Sequence, residues 1–296
     1  MIEITLLGHM SAEGAVTLAA ADMGGVKPRQ LLALLSLELG HPVPKDVLAD
    51  RLWEQRPPSG CITTLESYVC LLRRKLRVPA GRHCAIATSH GGYLMDPEHV
   101  RVDLDDVRRL LAGDSASVLT ALDRINGDLL TDDPYATWAE EARSTFADVL
   151  ATACTSAARE ANKSGDHAAA VRLAREATRT AAFSEPALRE LMAALLGVGD
   201  RPAALHAYED MRARLATELG LDLDAETRAL FLRILQQDPA SERDCDRAEA
   251  SALVNLLRRT LVNNPSVLTG VPGSIELTQA LRTFSLTGHV RALPGG

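Results

Sequence analysis

Four apolar residues, Leu65, Val69, Leu72 and Leu76, recur at spacings of four, three and four. That rhythm is the buried stripe of a single helix over residues 62–76, and it fixes which side of the helix faces outward. Thr63, Ser67, Cys70 and Arg74 keep the same rhythm two residues earlier, about 200° around the helix at 3.6 residues per turn. The outer face is therefore small and hydroxylated near its start and basic near its end. Short hydroxyls allow close approach to bases and backbone, and guanidinium groups reach phosphates or guanine edges. Tyr68 lies beside this face with a hydroxyl to offer a phosphate. A solvated amphipathic helix has the same stripe. What favours a DNA-reading helix is the hairpin pattern that follows it, where a wing is needed.

That hairpin is predicted from residues 84–88, a turn at 89–92 and a return strand at 93–95, with Asp96-Pro97 closing the unit. Ahead of the helix the chain changes element often. Ile2, Ile4 and Leu6 alternate with Glu3 and Thr5 as in a strand. Gly8 and Gly14 flank a turn, and residues 16–18 suggest a second strand. A helix is expected over residues 28–39, leucine nearly all round and hence central, with Pro28 suited to its first turn. A second helix spans 45–53, and Pro57-Pro58 marks the loop before the third. Strands, three helices and a hairpin describe a winged helix-turn-helix over residues 1–98.

Beyond residue 99 the pattern is helical and rich in Ala, Leu and Arg. Gly165-Asp166 followed by Ala169-Ala170 recurs as Gly199-Asp200 followed by Ala203-Ala204. The offset is that of tetratricopeptide repeats, about 34 residues. Tyr208 stands where such repeats place an aromatic, whereas the first copy has Ala174. The expected fold is mainly α with a small β component, the winged helix being followed by an all-α tetratricopeptide-like domain over 99–238. The remainder, 239–296, is a C-terminal extension, helical over 250–262 and again to about 284, whose pattern assigns it no role.

The net charge of −7 speaks against nucleic acid only on average. Residues 1–100 hold ten basic and ten acidic side chains, and 101–296 hold 22 against 29. Arg73, Arg74, Lys75, Arg77 and Arg82 form a basic run with no acid among them, a local patch able to meet DNA on an otherwise acidic chain. Solvated surface charge is the alternative. Lys27 and Arg29 open the first long helix, where outward N–H groups also favour a phosphate; surface solubility explains them equally. His90 stands at the hairpin tip, within reach of a minor groove, although a lone exposed histidine is often incidental. Five scattered cysteines argue against a disulfide framework and fit a reduced cytoplasm. No apolar run is long enough to span a membrane, and the N-terminus lacks a secretory pattern.

The first hundred residues resemble the OmpR-type domain of the Streptomyces antibiotic regulatory proteins. The resemblance runs through Lys27-Pro28-Arg29-Gln30-Leu31-Leu32, Asp50-Arg51-Leu52-Trp53, Pro57-Pro58, the stretch from Thr63-Thr64-Leu65 to Arg73-Arg74-Lys75-Leu76, and Gly91-Gly92-Tyr93. The second half resembles that family's bacterial transcriptional activation domain through Trp138-Ala139-Glu140-Glu141-Ala142-Arg143, Glu185-Pro186-Ala187-Leu188-Arg189-Glu190, Ala203-Ala204-Leu205-His206-Ala207-Tyr208 and Leu215-Ala216-Thr217-Glu218-Leu219-Gly220-Leu221. Coverage extends over about residues 1–238. The resemblance implies an activator of a secondary-metabolite gene cluster, binding direct repeats near the −35 element as side-by-side protomers or a homodimer and recruiting RNA polymerase holoenzyme. It places Thr63, Thr64, Ser67, Tyr68, Arg73 and Arg74 on the recognition helix. It places Glu54, Gln55 and Arg56 on a loop facing polymerase. Two departures stand out: Leu71 replaces a polar or basic residue on the recognition helix, and the wing reads Thr88-Ser89-His90 where an arginine is common.

Other chemistry lacks support. There is no phosphate loop of the G-x-x-x-x-G-K-[ST] or G-x-G-x-x-G kind, no H-E-x-x-H, no C-x-x-C and no G-x-S-x-G. His83, Cys84 and His90 have poor metal-ligand spacing. Asp103, Asp105 and Asp106 suit the positive end of a helix, and Asp132-Asp133-Pro134 suits a turn. No catalytic residue, metal or cofactor is expected, nor a membrane partner, and the expected location is the cytoplasm at the nucleoid. The competing reading is a helical-repeat interaction adaptor with a degenerate DNA-binding domain, motivated by the neutral first hundred residues and by Leu71.

Overall fold

The computed structural model describes residues 1–54, 56–80, 84–89 and 91–236. Gln55, Arg82, His83, His90 and the expected tail helices lie outside the described residues. Residues Met1–Phe231 form one compact unit, so the expected division at residue 98 falls within it. Leu232–Gly296 form a second unit.

The chain opens with β1 (Ile2–Thr5), whose Ile2 and Ile4 are buried while Glu3 is exposed. β2 (Ser11–Glu13) and β3 (Thr17–Ala19) pair antiparallel after it. β2 is a strand inside what the flanking glycines suggest is a turn. A short 3-10 turn at Ala20–Met23 leads into α1 (Val26–Leu37). Leu31, Leu32, Leu34 and Leu35 of α1 are each at most 1% exposed, so this is the central helix that its all-round leucines predict. β4 (Val43–Pro44), α2 (Lys45–Leu52) and α3 (Cys61–Lys75) follow. The hairpin of β5 (Ile86–Ser89) and β6 (Gly92–Met95) joins β4 in a three-stranded antiparallel sheet, order β4-β6-β5. At Gly92 a Cβ would lie 2.0 Å from the Val43 carbonyl oxygen, so only glycine lets β4 and β6 close. β7 (Val100–Val102) returns to pair parallel with β1, completing a second sheet of order β3-β2-β1-β7. Three helices and a hairpin wing form the winged helix.

The rest of this unit is helical: α4 (Asp103–Leu111), α5 (Ser115–Arg124), α6 (Glu140–Ser164), α7 (His167–Thr180), α8 (Glu185–Gly197), α9 (Arg201–Arg214) and the start of α10 (Ala225–Gln236). From α6 to α9 each helix packs on the next. The repeat is structural. Gly165 and Gly199 both end a turn with positive φ, 83° and 81°. Asp166 and Asp200 both accept from the backbone N–H three residues on, at 3.1 Å, the bond that caps a helix start. Ala170 and Ala204 are fully buried, as close helix pairing needs. Tyr208 stacks on Phe231 with ring centroids 4.0 Å apart.

Candidate nucleic-acid interface

The phase of α3 is the one its stripe predicts. Leu65, Val69, Leu72 and Leu76 are at most 3% exposed, and Thr63, Ser67, Cys70 and Arg74 are exposed together on the opposite side. The hydroxyls of Thr64 and Ser67 donate to the carbonyls of Gly60 and Thr63, at 3.2 and 2.9 Å, leaving their oxygens as acceptors outward. Arg74 is exposed, and its guanidinium has no partner among the described residues. Lys75 is half-buried at the end of the helix. Tyr68 is half-buried and stacks on Trp53, centroids 6.4 Å apart. Glu54 and Arg56 of the loop between α2 and α3 are exposed, Glu54 at a φ of 51°.

Three expected DNA cations are occupied within the protein. Arg29 places both guanidinium arms on Asp133, at 2.8 and 3.0 Å, and a further bond on the Asp132 carbonyl at 3.0 Å. Its side chain is 13% exposed, so most of its charge is used within the protein. The hydrogen bond to Asp133, opposed by burial, raises the Arg29 pKa. Lys27 turns its ammonium to the Leu52 carbonyl at the end of α2 and to Gln30. Arg73 reaches back to the wing, donating to the Ile86 carbonyl at 2.6 and 3.0 Å and to Thr88 Oγ1 at 2.9 Å. It holds the wing against α3. Leu71 likewise leaves the outer face: a Cβ at Gly24 would lie 2.5 Å from its Cδ2, so it packs on the turn before α1.

The two acid clusters are also explained. Asp103 begins α4 and accepts from the N–H groups of Leu6, Leu7 and Leu104 at 2.8, 3.0 and 2.8 Å. Burial raises its pKa against those bonds. Asp132 accepts from Met10 N at 2.6 Å and lies 2.9 Å from His9 Nδ1. Burial opposes ionisation of Asp132, but these bonds and the charges of His9 and Arg29 outweigh it, and its pKa is lowered. Leu7 bridges Leu129, and Leu130 N donates to the Leu6 carbonyl at 2.8 Å. The loop over residues 128–136 is thus a strap joining the winged helix to the helical domain. Arg143 organises the strap, donating to the carbonyls of Leu129, Leu130 and Asp133 at 3.0, 3.3 and 2.6 Å.

The helical motifs carry ties of the same kind. Arg189 binds Asp224 at 2.8 Å and Thr227 at 2.9 Å, and Glu190 binds Arg159 at 2.7 Å. Cys84 is buried, its thiol donating to the Ile86 carbonyl at 3.0 Å. Among the described residues one group has metal-like spacing, Asp96, Glu98 and His99, but Asp96 already accepts from Glu98 N and approaches His99, as a turn cap does. Two residues of the outer surface escape a reading of hydroxyl and basic rhythm. Glu66 is exposed and Lys45 pairs with it; position 66 keeps the same three-to-four spacing with 63 and 70.

Residues 25–95 match the family model of the transcriptional regulatory protein C-terminal domain, and residues 102–235 that of the bacterial transcriptional activator domain. The chain is 30% identical over 249 residues to the regulatory protein DnrI of Streptomyces peucetius, covering 78% of this chain and 91% of that protein. It is 30% identical to the transcriptional regulatory protein EmbR of Mycobacterium tuberculosis, over 81% of this chain and 66% of that one. The solved structure of Mycobacterium tuberculosis EmbR in complex with a low affinity phosphopeptide has a TM-score of 0.62 at 25% identity, covering 87% of this chain and 71% of that chain. With a winged helix, a helical activator domain and relatives matched across both, the chain belongs to the Streptomyces antibiotic regulatory protein family of transcriptional regulators.

Proposed function

We propose that this protein is a sequence-specific DNA-binding activator of a secondary-metabolite gene cluster. It binds direct repeats near the −35 element as side-by-side protomers and recruits RNA polymerase holoenzyme. The observation that carries this reading is the outer face of α3, where Thr63, Ser67, Cys70 and Arg74 are exposed together beside the wing. A helix of this kind enters the major groove while neighbouring groups hold the backbone. Thr64, Tyr68 and Lys75 flank it. Residues 1–98 serve as the DNA-binding domain and 99–238 as the activation domain. The exposed Glu54 and Arg56 suit a contact with polymerase. The reading needs no cofactor and no catalytic residue, and it places the protein in the cytoplasm at the nucleoid. Among the described residues no helix is long and apolar enough to cross a membrane.

The test is a titration against promoter DNA of the neighbouring genes at two salt concentrations, with a scrambled-repeat control. Binding to the repeat alone, weakening as salt rises, is the expected result, because phosphate contacts release counterions. The internal use of Lys27, Arg29 and Arg73 favours a second reading, a helical-repeat adaptor that has lost DNA binding. Folded protein that binds neither DNA supports that one.

A further inference from the structure

The surface of α3 that faces outward carries an acid. Glu66 lies between Thr63 and Cys70 with its side chain 47% exposed. Its Oε1 accepts from Lys45 Nζ at 2.5 Å. Lys45 starts α2, and its ammonium lies 5.6 Å from the centroid of the Tyr93 ring in β6. The Arg73 guanidinium lies 5.9 Å from the same ring. Lys45 is thus held by the wing and directed at Glu66, and the hydrogen bond from that pair raises the lysine pKa. The second carboxylate oxygen of Glu66 has no partner among the described residues.

A bare carboxylate on such a face repels the phosphate backbone. Paired with Lys45 it is neutral as a unit, so the helix can approach DNA with the acid in place. A carboxylate accepts hydrogen bonds and cannot donate them. In the major groove it therefore meets the amino group of cytosine well, whereas guanine N7 and O6 offer it only acceptors. We propose that Glu66, oriented by Lys45, is a specificity-determining residue that reads cytosine through its exocyclic amino group. The inference rests on the DNA-reading function proposed above.

The experiment is selection of bound duplexes from a random-sequence pool by the full-length protein, its E66Q variant and its E66A variant. Glutamine keeps the shape of the side chain and pairs with the N6 and N7 of adenine. One C·G position of the wild-type motif should become A·T with E66Q. With E66A that position should lose its preference, discrimination falling roughly ten-fold, while the rest of the motif is unchanged. Folded variants that select the wild-type motif overturn the role of Glu66 and leave DNA reading intact. A wild-type protein that enriches no motif overturns both.

Discussion

Two helices of the winged helix, α1 and α3, use the basic residues at their ends in opposite ways. In α1, Lys27 and Arg29 turn inward, to the end of α2 and to the strap at Asp133. In α3, Arg74 stays exposed and without a partner among the described residues. Arg73, its neighbour in sequence, belongs with the first group because it binds the wing. The difference is not one of residue type. It depends on whether a carbonyl or carboxylate is brought within reach, and those acceptors come from segments far along the chain. Basic residues at a helix end are thus as able to hold domains together as to meet phosphate.

The largest effect is expected where that comparison is broken by force. Asp133→Ala leaves the Arg29 guanidinium, 13% exposed, without its carboxylate and Gln30 without its acceptor. Removing one partner of a buried pair costs about 3–5 kcal/mol, to be read from the denaturant midpoint. A change below about 1 kcal/mol would show that the strap does not hold α1.

Arg73→Ala and Arg74→Ala sharpen the comparison between neighbours. Arg73→Ala should destabilise by about 1–3 kcal/mol through lost charged hydrogen bonds to the wing. Arg74→Ala should leave stability within about 0.5 kcal/mol and lower DNA affinity, reducing the salt slope by about one. Equal stability losses in the two variants would dissolve the distinction.

The smallest effect concerns pH. Asp132 has a lowered pKa in the folded protein. Its contribution to stability is therefore complete above the unfolded carboxylate value of about 3.9 and is lost as pH falls through the lower folded value. Asp132→Asn should be less stable than the wild type at neutral pH and converge with it in acid. Parallel curves across the acid range would show that the Asp132 carboxylate does not help hold the strap at His9 and Met10.

Much of the fold is legible before any coordinates. The stripe of α3, the leucine-rich α1 and the Gly-Asp-x-x-Ala-Ala repeat each rest on spacings within about one turn or one repeat. The structure keeps all three. β2 and β7 are not legible: β2 lies in the stretch that the flanking glycines mark as a turn, and β7 is a strand because β1 lies beside it. Leu71, which the resemblance sets among polar or basic residues of the recognition helix, covers the turn at Gly24 instead. Asp103 and Asp132-Asp133 look like a helix start and a turn, and they are. Their second role, holding the backbone at Leu6, Leu7 and Met10 and the guanidinium of Arg29, has no local mark.

The sequence by itself determined the helices, their buried faces and the repeat, because periodicity is a property of neighbours along the chain. Only the tertiary structure decided which cations are spent inside and which face outward. Arg29 and its carboxylate are 104 positions apart. A hydrogen bond over that separation is set by how the strap folds back on α1, and no spacing near either residue encodes it.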